Sequence, residues 1–361
     1  MKKLALLFSL ATLTGCSVSN QVETLIPENA VVKNKTTEGY TDRYKNIYDD
    51  FKDYPVTCSE DCYPPSPIIK CKSDMQSCQF TGKNPAVNLK SGFNVQWLGH
   101  ASFKITTENG QQFLFDPVSD DFDWPVNWAF HIVAGVDRTP TIELEEGDIS
   151  KTDAIMYSHI HYDHFKKDDL ARIGKNSEFL TPLGFADHFP DDGYKITEMA
   201  WYSSKKVGNS TIHFVPANHF SSRILVPFIH EDNDATLWGG WVIEQQGKKL
   251  FFAGDTGYSP HFKDIAAKYG QMDVCLIPIA SYHSEQHPKW YRKVHTTPED
   301  ALVAAKDMNC KVMIPWGYGN ASWQMGDKTS HSALFRLLHM YEQINADTPI
   351  IVLNEGESVK L

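Results

Sequence analysis

The stretch that decides the fold of this chain is SHIHYDH, residues 158–164. It holds three histidines and one aspartate, all of which bind metal ions, and it directly follows a strand-like apolar run at residues 153–157. Imidazoles and carboxylates this close together desolvate and repel one another unless a cation takes up their lone pairs. The stretch therefore predicts a metal site rather than a solvated polar loop.

The spacing within this stretch indicates two ions. A tight turn directs His159 and His161 at one point, while Asp163 and His164 face a second point nearby. Imidazole and carboxylate together suit zinc, with iron or manganese as alternatives, and they disfavour calcium and magnesium. We therefore expect one or two zinc ions.

Two later segments offer further ligands. A strand at residues 211–215 ends in a loop that carries His219. Another strand, at residues 250–253, runs into GDTG, whose glycines let the backbone crowd around Asp255. A carboxylate in that position can bridge two neighbouring ions.

The first residues read as an export signal. A short basic start precedes an apolar run at positions 4–13 that is too short to span a bilayer. The run ends in LTGC, which resembles the bacterial lipobox and implies cleavage before Cys16 and acylation of that residue; an ordinary signal cleaved elsewhere is the alternative. Because Ser17 rather than Asp follows, we expect an exported, lipid-anchored protein in the outer membrane, facing the periplasm.

The composition makes the protein acidic. Its formal net charge is −11, and loss of two lysines with the signal at residues 1–15 takes the charge to −13. Such a surface repels a polyphosphate backbone, which excludes nucleic acid as a partner. An anionic bilayer does not attract it either, so acyl chains on Cys16 would have to attach it to the membrane. The expected ligand of the site is a small molecule or a lipid, and the oligomeric state stays open.

Residues 16–91 are predicted to form a tether followed by a small packed appendage. Four cysteines of this segment lie close together: Cys58, Cys62, Cys71 and Cys78. In an exported chain they predict two disulfides of open pairing, and a structural zinc site is the alternative. Cys275 and Cys310 lie in apolar runs and are expected to be buried, unreactive thiols.

Residues 92–361 are predicted to form the catalytic domain. Hairpin-rich strands come first and last, with helices between them, which indicates a layered α/β domain rather than a doubly wound one. His100 is either a satisfied loop residue or part of the rim of the active site. Trp124 belongs to an aromatic cluster that either packs in the core or forms an apolar lip for an acyl chain or a membrane.

Several segments together resemble one family. The HxHxDH pattern of residues 159–164 is that of the metallo-β-lactamase superfamily. The chain is similar to the N-acyl-phosphatidylethanolamine-hydrolysing phospholipase D branch in WLGHA (97–101), PANHF (216–220), LWGGW (237–241), FFAGDTGY (251–258) and IPI (277–279). This similarity runs from about residue 92 to 320.

The resemblance implies a four-layer αββα sandwich, with the small cysteine-containing appendage before it. It also implies three ligands for a first zinc, two for a second and one that bridges them: His159, His161 and His219; Asp163 and His164; and Asp255. A hydroxide between the ions would attack phosphorus in line, with Asp163 orienting it. His295 matches a family histidine near the substrate.

One position departs from the family pattern. The last ligand normally stands before a Trp-Gly pair, and this chain has Pro315 there, which offers no side-chain lone pair. His283, near the mouth of the site, and His331 are candidate substitutes. Without a substitute or water, the second ion lacks a ligand and is expected to bind more weakly.

These observations lead to three hypotheses. The first is a zinc-dependent hydrolase of phosphodiesters, phospholipase D-like, that acts on N-acyl-phosphatidylethanolamine or a related lipid. The second is a lactone or amide hydrolase of the same fold, and the third is a non-catalytic binding lipoprotein on a partly decayed scaffold. Pro315 supports the third hypothesis, and the six retained ligands oppose it.

Overall fold

The computed structural model of the protein describes residues 31–36, 39–48, 50–72, 77–89, 92–119, 122–123, 149, 151–190, 193–223, 234–283, 288–319 and 329–361. The predicted signal peptide, Cys16 and Trp124 lie outside these residues, so their predicted roles stay predictions. Of the helices in the described ranges, none is both long enough and apolar enough to cross a membrane.

The N-terminal segment forms two small antiparallel ribbons. They are β1 (Val31–Thr36) with β2 (Gly39–Tyr44), and β3 (Ile69–Cys71) with β4 (Cys78–Phe80). Two larger sheets follow.

The first large sheet contains β5 (Phe93–Gly99), β6 (Ser102–Thr107), β7 (Gln112–Phe115), β8 (Ala154–Met156), β9 (Glu178–Pro182), β10 (Lys195–Met199) and β17 (Ser358–Lys360). Its spatial order is β10-β9-β8-β7-β6-β5-β17. The second contains, in spatial order, β11 (Ser204–Val207), β12 (Ser210–Val215), β13 (Gly240–Gln245), β14 (Lys248–Phe252), β15 (Val274–Pro278) and β16 (Met313–Trp316). The helices are α1 (Lys167–Ile173), α2 (His261–Tyr269), α3 (Pro288–Val294), α4 (Pro298–Asp307) and α5 (Ser332–Gln343), with a 3₁₀ turn at Ala186–His188.

The two large sheets pack face to face through aromatic side chains. Phe115 of β7 stacks on Phe252 of β14 with ring centroids 4.5 Å apart, and Phe252 stacks on Trp316 of β16 at 5.6 Å. Alternate residues of β5, such as Val95 and Trp97, are fully buried in the same core. Each large apolar side chain removed from water contributes about 1.5–3 kcal/mol, so this layer holds the sheets together.

Helices cover the outer faces. Leu170 of α1 packs with Ile155 and Phe179 behind the first sheet, and α4 packs on β15, α2 and α5 behind the second. The order helix, sheet, sheet, helix confirms the predicted αββα sandwich.

The described part of the N-terminal segment packs on this sandwich. Asn354 exchanges hydrogen bonds of 2.8 and 2.9 Å with the main chain of Phe80, and Asn84 exchanges two of 2.8 Å with the main chain of Val352. Ile69 and Phe80 belong to the main hydrophobic core. The segment and the sandwich therefore share one core.

The clustered cysteines form two disulfides, as predicted: Cys58–Cys62 and Cys71–Cys78. The prediction of free thiols at Cys275 and Cys310 is wrong, because these residues form a third disulfide with Cα atoms 6.0 Å apart. The crossover through α4 returns the chain to β15, where the Cys275 amide donates to the carbonyl of Val312 at 3.0 Å. That return brings together two cysteines separated by 35 residues, a proximity that an apolar context alone does not reveal.

Candidate metal centre

Six chain segments meet at one edge of the sandwich. Strands β5, β7 and β8 point the same way in the first sheet, as do β12 and β14 in the second. The carboxyl ends of strands with a common direction share an edge, so the loops that follow them converge. Those loops and the residue after α3 carry the side chains of the candidate site: His100, Asp116, residues 158–164, His219, Asp255 and His295.

Gly254 lets loops from the two sheets touch. Its φ is 61°, and a Cβ at this position would lie 2.6 Å from the carbonyl oxygen of Gly239 and 2.9 Å from Cβ of Ser158. A larger residue would push the end of β14 away from the end of β8. Asp255 therefore reaches the 158–164 loop because residue 254 has no side chain.

Three imidazoles form the first group of candidate ligands, which we call the histidine group. Nδ1 of His161 lies 2.8 Å from Nε2 of His159 and 3.2 Å from Nε2 of His219. Nitrogens bound at about 2.0–2.1 Å to one tetrahedral zinc ion stand about 3.3–3.4 Å apart. The three donors therefore need only small shifts to hold one ion.

Asp255 lies between this group and a second one. Its Oδ2 is 3.8 Å from Nε2 of His219, 3.3 Å from Nε2 of His164 and 3.7 Å from Nδ1 of His295. The Asp255 side chain is 10% exposed, so its charge is largely removed from water. A carboxylate that faces imidazoles on both sides has the position of a bridging ligand.

The second group, which we call the carboxylate group, combines Asp163 with His164 and His100. Oδ2 of Asp163 is 3.0 Å from Nε2 of His100 and 3.9 Å from Nε2 of His164. Nε2 of His164 is buried and faces carboxylate oxygens of Asp255 and Asp163 at 3.3 and 3.9 Å. Two buried carboxylates need positive charge beside them, and a cation held by His164, Asp163 and Asp255 would supply it. The donor set therefore fits a metal ion.

One buried carboxylate holds two of these rings in the tautomer that ligation requires. His164 donates from Nδ1 to Oδ2 of Asp116 at 2.7 Å, and His159 donates from Nδ1 to Oγ of Ser158 at 2.9 Å. Ser158 in turn donates to Oδ2 of Asp116 at 2.6 Å. With a proton on Nδ1, Nε2 of each neutral ring presents its lone pair to a metal ion.

His219 is held partly from the N-terminal segment. Its Nδ1 donates to the carbonyl of Val294 at 2.9 Å. Its main-chain N–H donates to Oδ1 of Asn46 at 2.9 Å, while Nδ2 of Asn46 donates to its carbonyl at 2.8 Å. Trp238 also donates from Nε1 to Oδ1 of Asn46, at 3.0 Å. A residue outside the two large sheets thus positions a candidate ligand.

Comparison with known proteins identifies the family. Residues 111–318 match a family model described as a beta-lactamase superfamily domain. The N-acyl-phosphatidylethanolamine-hydrolyzing phospholipase D 1 of Caenorhabditis elegans is 31% identical over 291 residues, which cover 74% of this chain and 76% of that protein. The chain belongs to the metallo-β-lactamase superfamily.

Other superfamily relatives match over shorter parts or by fold alone. An uncharacterized protein of Mycobacterium tuberculosis is 32% identical over 233 residues, 62% of this chain, and this chain spans only 58% of that protein. The structure of Igni18, a metallo hydrolase from Ignicoccus hospitalis, aligns with a TM-score of 0.52 at 20% identity, over 75% of this chain and 99% of that one. The family and the two ligand groups together give the architecture of a metal-dependent hydrolase.

Burial keeps the histidine group of this superfamily site neutral. It lowers the pKa of His159 and of His219 well below the ordinary value, and it lowers the pKa of His161 to about 4. The neutral imidazole is the form that binds a metal ion. These three side chains are therefore ready to bind an ion at neutral pH.

Interactions between charges, rather than burial, decide the direction of the pKa shifts in and beside the carboxylate group. Burial favours neutral carboxyl groups, but the His164 imidazolium outweighs it and holds the pKa of Asp163 and of Asp255 below the usual range. Burial also disfavours that imidazolium, but Asp255 and Asp163 outweigh burial and raise the pKa of His164 well above its ordinary value. In the absence of a metal ion, the protonated ring of His164 thus supplies the positive charge that a bound ion would supply.

The structure places some of the predicted site residues in the ligand groups and others outside them. The six ligands expected for a superfamily site lie in the two groups with Asp255 between them, and His295 faces Asp255. His283 lines a cavity beside α3, whereas His331 packs on the ring of Tyr318 at 5.2 Å. Among the described residues neither histidine belongs to a ligand group, so neither replaces the ligand lacking at Pro315.

Sequence reasoning missed the residues that support the ligands. Asp116 reads in the sequence only as the end of a strand before Pro117, although a carboxylate at that end of a strand is an available signal. Asn46 lies 173 residues from His219 and bonds to its main chain. No superfamily motif identifies Asn46. It bonds to the main-chain groups of residue 219, and any residue type at that position offers the same two groups.

Proposed function

We propose that the protein is a metal-dependent hydrolase that cleaves a phosphodiester in a lipid-like molecule, in the manner of a phospholipase D. The observation that carries this proposal is the pair of ligand groups on either side of Asp255. Its substrate class rests on the Caenorhabditis elegans relative, whose name gives that activity and 76% of which aligns with this chain.

Metal ions bound at the two groups would act as Lewis acids on the phosphoryl oxygens and make a water nucleophilic at neutral pH. Side chains of the protein would orient the water and contact the substrate. Asp163 and Asp255 orient the reacting water, and His295 faces the substrate, since its side chain is 16% exposed whereas that of His164 is fully buried. A bond forms from the water oxygen to phosphorus and the bond to the leaving oxygen breaks, while one proton of the water passes to the leaving oxygen.

A cavity beside α3 supports an anionic, partly apolar substrate. It has a volume of about 740 Å³ and is bordered by the N-terminal segment and α3. Its lining combines aromatic and charged side chains: Phe51, Tyr54, Tyr282, Asp50, Lys52, Lys293, Arg292 and Arg336. Arg292 and Arg336 are paired with Asp300 and Glu299, so Lys52 and Lys293 carry most of the cationic character. One lining residue, Lys293, stands two positions before His295 in the chain. Cationic and aromatic walls suit a phosphate with an attached apolar chain.

A substrate panel tests the reaction class. Purified protein loaded with zinc or manganese would be assayed on bis-p-nitrophenyl phosphate, on N-acyl-phosphatidylethanolamine vesicles and on acyl-lactones. We expect hydrolysis of the two phosphodiesters and none by the Asp255→Ala variant. Turnover of lactones alone would favour the second hypothesis, and no turnover by metal-loaded protein would favour a binding protein.

Isotope labelling locates the bond that breaks. In water labelled with oxygen-18, attack at phosphorus places the label in the phosphatidic acid product and none in the released acyl-ethanolamine. Label in a fatty acid would instead show attack at a carbonyl carbon and overturn the phosphodiesterase proposal.

We also propose that the protein is exported and anchored through Cys16, facing the periplasm. The three disulfides support this location, because such bonds persist in oxidising compartments. The Cys16→Ala variant should lose labelling by a radioactive fatty acid, and persistent labelling would contradict the anchor.

Thiol counting tests the oxidised state separately. Alkylation of the denatured, metal-free mature chain should modify none of the six cysteines in disulfides before reduction and all six afterwards. Modification of all six without reduction would rule the disulfides out.

A further inference from the structure

We propose that His100 is the fourth protein ligand of the metal ion held by Asp163, His164 and Asp255. This inference rests on the proposed metal centre and goes beyond it, since it assigns a ligand that the sequence resemblance leaves missing at Pro315. The imidazole of His100 would complete a tetrahedral set.

The geometry places His100 on the metal side of Asp163. Oδ2 of Asp163 is the oxygen that faces His164, and the same atom lies 3.0 Å from Nε2 of His100. The ligand atoms of these three residues lie within 4.8 Å of one another, and the rings of His100 and His164 have centroids 5.4 Å apart. The donor atoms of all three therefore lie close enough to one another to be drawn onto one ion.

The turn that carries His100 is fixed through its main chain. His100 joins β5 to β6 with a φ of 47°, a left-handed conformation that costs a non-glycine residue free energy. Trp97 donates from Nε1 to the carbonyl of His100 at 2.9 Å, and the ring of Phe122 lies 5.3 Å from the imidazole. His100 itself is only 5% exposed. A buried imidazole in a strained turn fits a functional role better than a solvated loop.

Residue 315 supplies no ligand to this metal ion. Pro315 lies inside β16, paired with Ile277 of β15. The next residue, Trp316, sets its ring 6.5 Å from that of His100 and 6.4 Å from that of His164. The wall of the carboxylate group at this strand is thus an indole, whereas the β5–β6 turn brings an imidazole nitrogen to Asp163.

His295 is the rival candidate. Its Nδ1 is 3.7 Å from Oδ2 of Asp255, and it groups with His219 and Asp255 rather than with Asp163. His100 instead touches the carboxylate that belongs to the second group alone. This difference favours His100 as the ligand and leaves His295 free to meet the substrate.

The test compares metal affinity in four proteins: the wild type, His100→Gly, His331→Ala and Asp163→Ala. Glycine suits the left-handed turn at residue 100, so it removes the imidazole without adding strain. His331 is the matched control, a buried histidine outside both groups. Metal-free protein would be titrated with Co²⁺ against a chelator, and circular dichroism would check folding.

We expect the wild type and His331→Ala to bind two ions tightly. His100→Gly should bind the first ion normally and the second at least about tenfold more weakly, as Asp163→Ala does, since even residues that only orient ligands change affinity by about 10–100-fold. In the cadmium-loaded protein, one of the two ¹¹³Cd resonances should move upfield when nitrogen is replaced by oxygen, and added imidazole should restore it.

Two outcomes would overturn the assignment. One is a wild type that binds a single ion, and the other is a His100→Gly variant with unchanged affinity for both ions, which would reduce His100 to a hydrogen-bond partner of Asp163. These measurements use no substrate. Failure of the phosphodiesterase proposal would therefore leave them unaffected, and failure of the ligand assignment would leave the substrate panel unaffected.

Discussion

The histidine group and the carboxylate group differ in charge and in what holds them. The first consists of three neutral imidazoles, whose ring nitrogens bond to a hydroxyl and a main-chain carbonyl. The second consists of a carboxylate and imidazoles, and Asp116 anchors His164. Three imidazoles beside one bridging carboxylate favour zinc, whereas a site with more oxygen donors also accepts manganese and iron. The difference teaches that one site can combine a histidine group that favours zinc with a carboxylate group that also accepts manganese or iron.

The largest effect is expected from Asp255→Ala, because this carboxylate faces both groups. Both ions should weaken, by more than about a hundredfold, and activity should be lost. Asp163→Ala should weaken only the second ion. The check is metal content by mass spectrometry after dialysis against a mild chelator. If Asp255→Ala retained one ion as Asp163→Ala does, the bridging position would be refuted.

Asp116→Asn should act next most strongly, and more on the carboxylate group than on the histidine group, because Asp116 accepts directly from His164 but reaches His159 only through Ser158. The substitution removes the charge that His164 donates to at 2.7 Å, and the second ion should weaken by about 10–100-fold. Asp169→Asn is the control, since Asp169 is also a buried carboxylate but bonds to Ser119 instead. Chelator competition measures both variants. Equal loss of the two ions in Asp116→Asn would show that the halves are not separately supported.

The pH dependence of binding should also separate the halves. The second ion must displace a proton from His164, whose raised pKa keeps it protonated at neutral pH, so its affinity should rise about tenfold per pH unit there. The first ion meets imidazoles that are already neutral, since the pKa of His161 is lowered to about 4, and its affinity should hardly change. Calorimetry in buffers of different ionisation enthalpy counts the released protons. Equal release for both ions would contradict the comparison.

The smallest effect is expected from Asn46→Ala, on the histidine group only. Loss of its two hydrogen bonds to the main chain of His219 should weaken the first ion about fivefold, the equivalent of about 1 kcal/mol. Asn84→Ala is a matched control, because Asn84 makes the same pair of bonds to Val352, outside the ligand groups. An equal effect of both variants would mean that Asn46 acts through general stability rather than through His219.

Local patterns in the sequence predicted the fold, and they predicted which side chains come together at one edge of the sandwich. Three histidines and an aspartate within residues 159–164 indicate metal chemistry without any knowledge of the rest of the chain. His219 and Asp255 could be found because each follows an apolar strand, and the carboxyl ends of such strands share an edge. The layered αββα fold followed from the order of strands and helices and from the family resemblance.

Predictions failed where the answer depends on pairs of distant residues. The disulfide between Cys275 and Cys310 depends on the path of α4, and apolar surroundings suggested free thiols instead. His283 and His331 were suggested as substitute ligands from their place in the chain, but both lie outside the ligand groups of the described structure. Spacing along the chain carries little information about distance once a crossover intervenes.

The sequence by itself determined a layered α/β domain with a cluster of metal-binding side chains, because local spacing defines a turn that crowds donors and the order of elements defines layers; the family resemblance specified the αββα sandwich. Only the tertiary structure decided which residues support those donors. His100 meets Asp163 across 63 positions, Asp116 meets His164 across 48 and Asn46 meets His219 across 173. The physical reason is that hydrogen bonds and ligand sets depend on ångström distances, which arise only after two sheets pack and bring their loops to one edge.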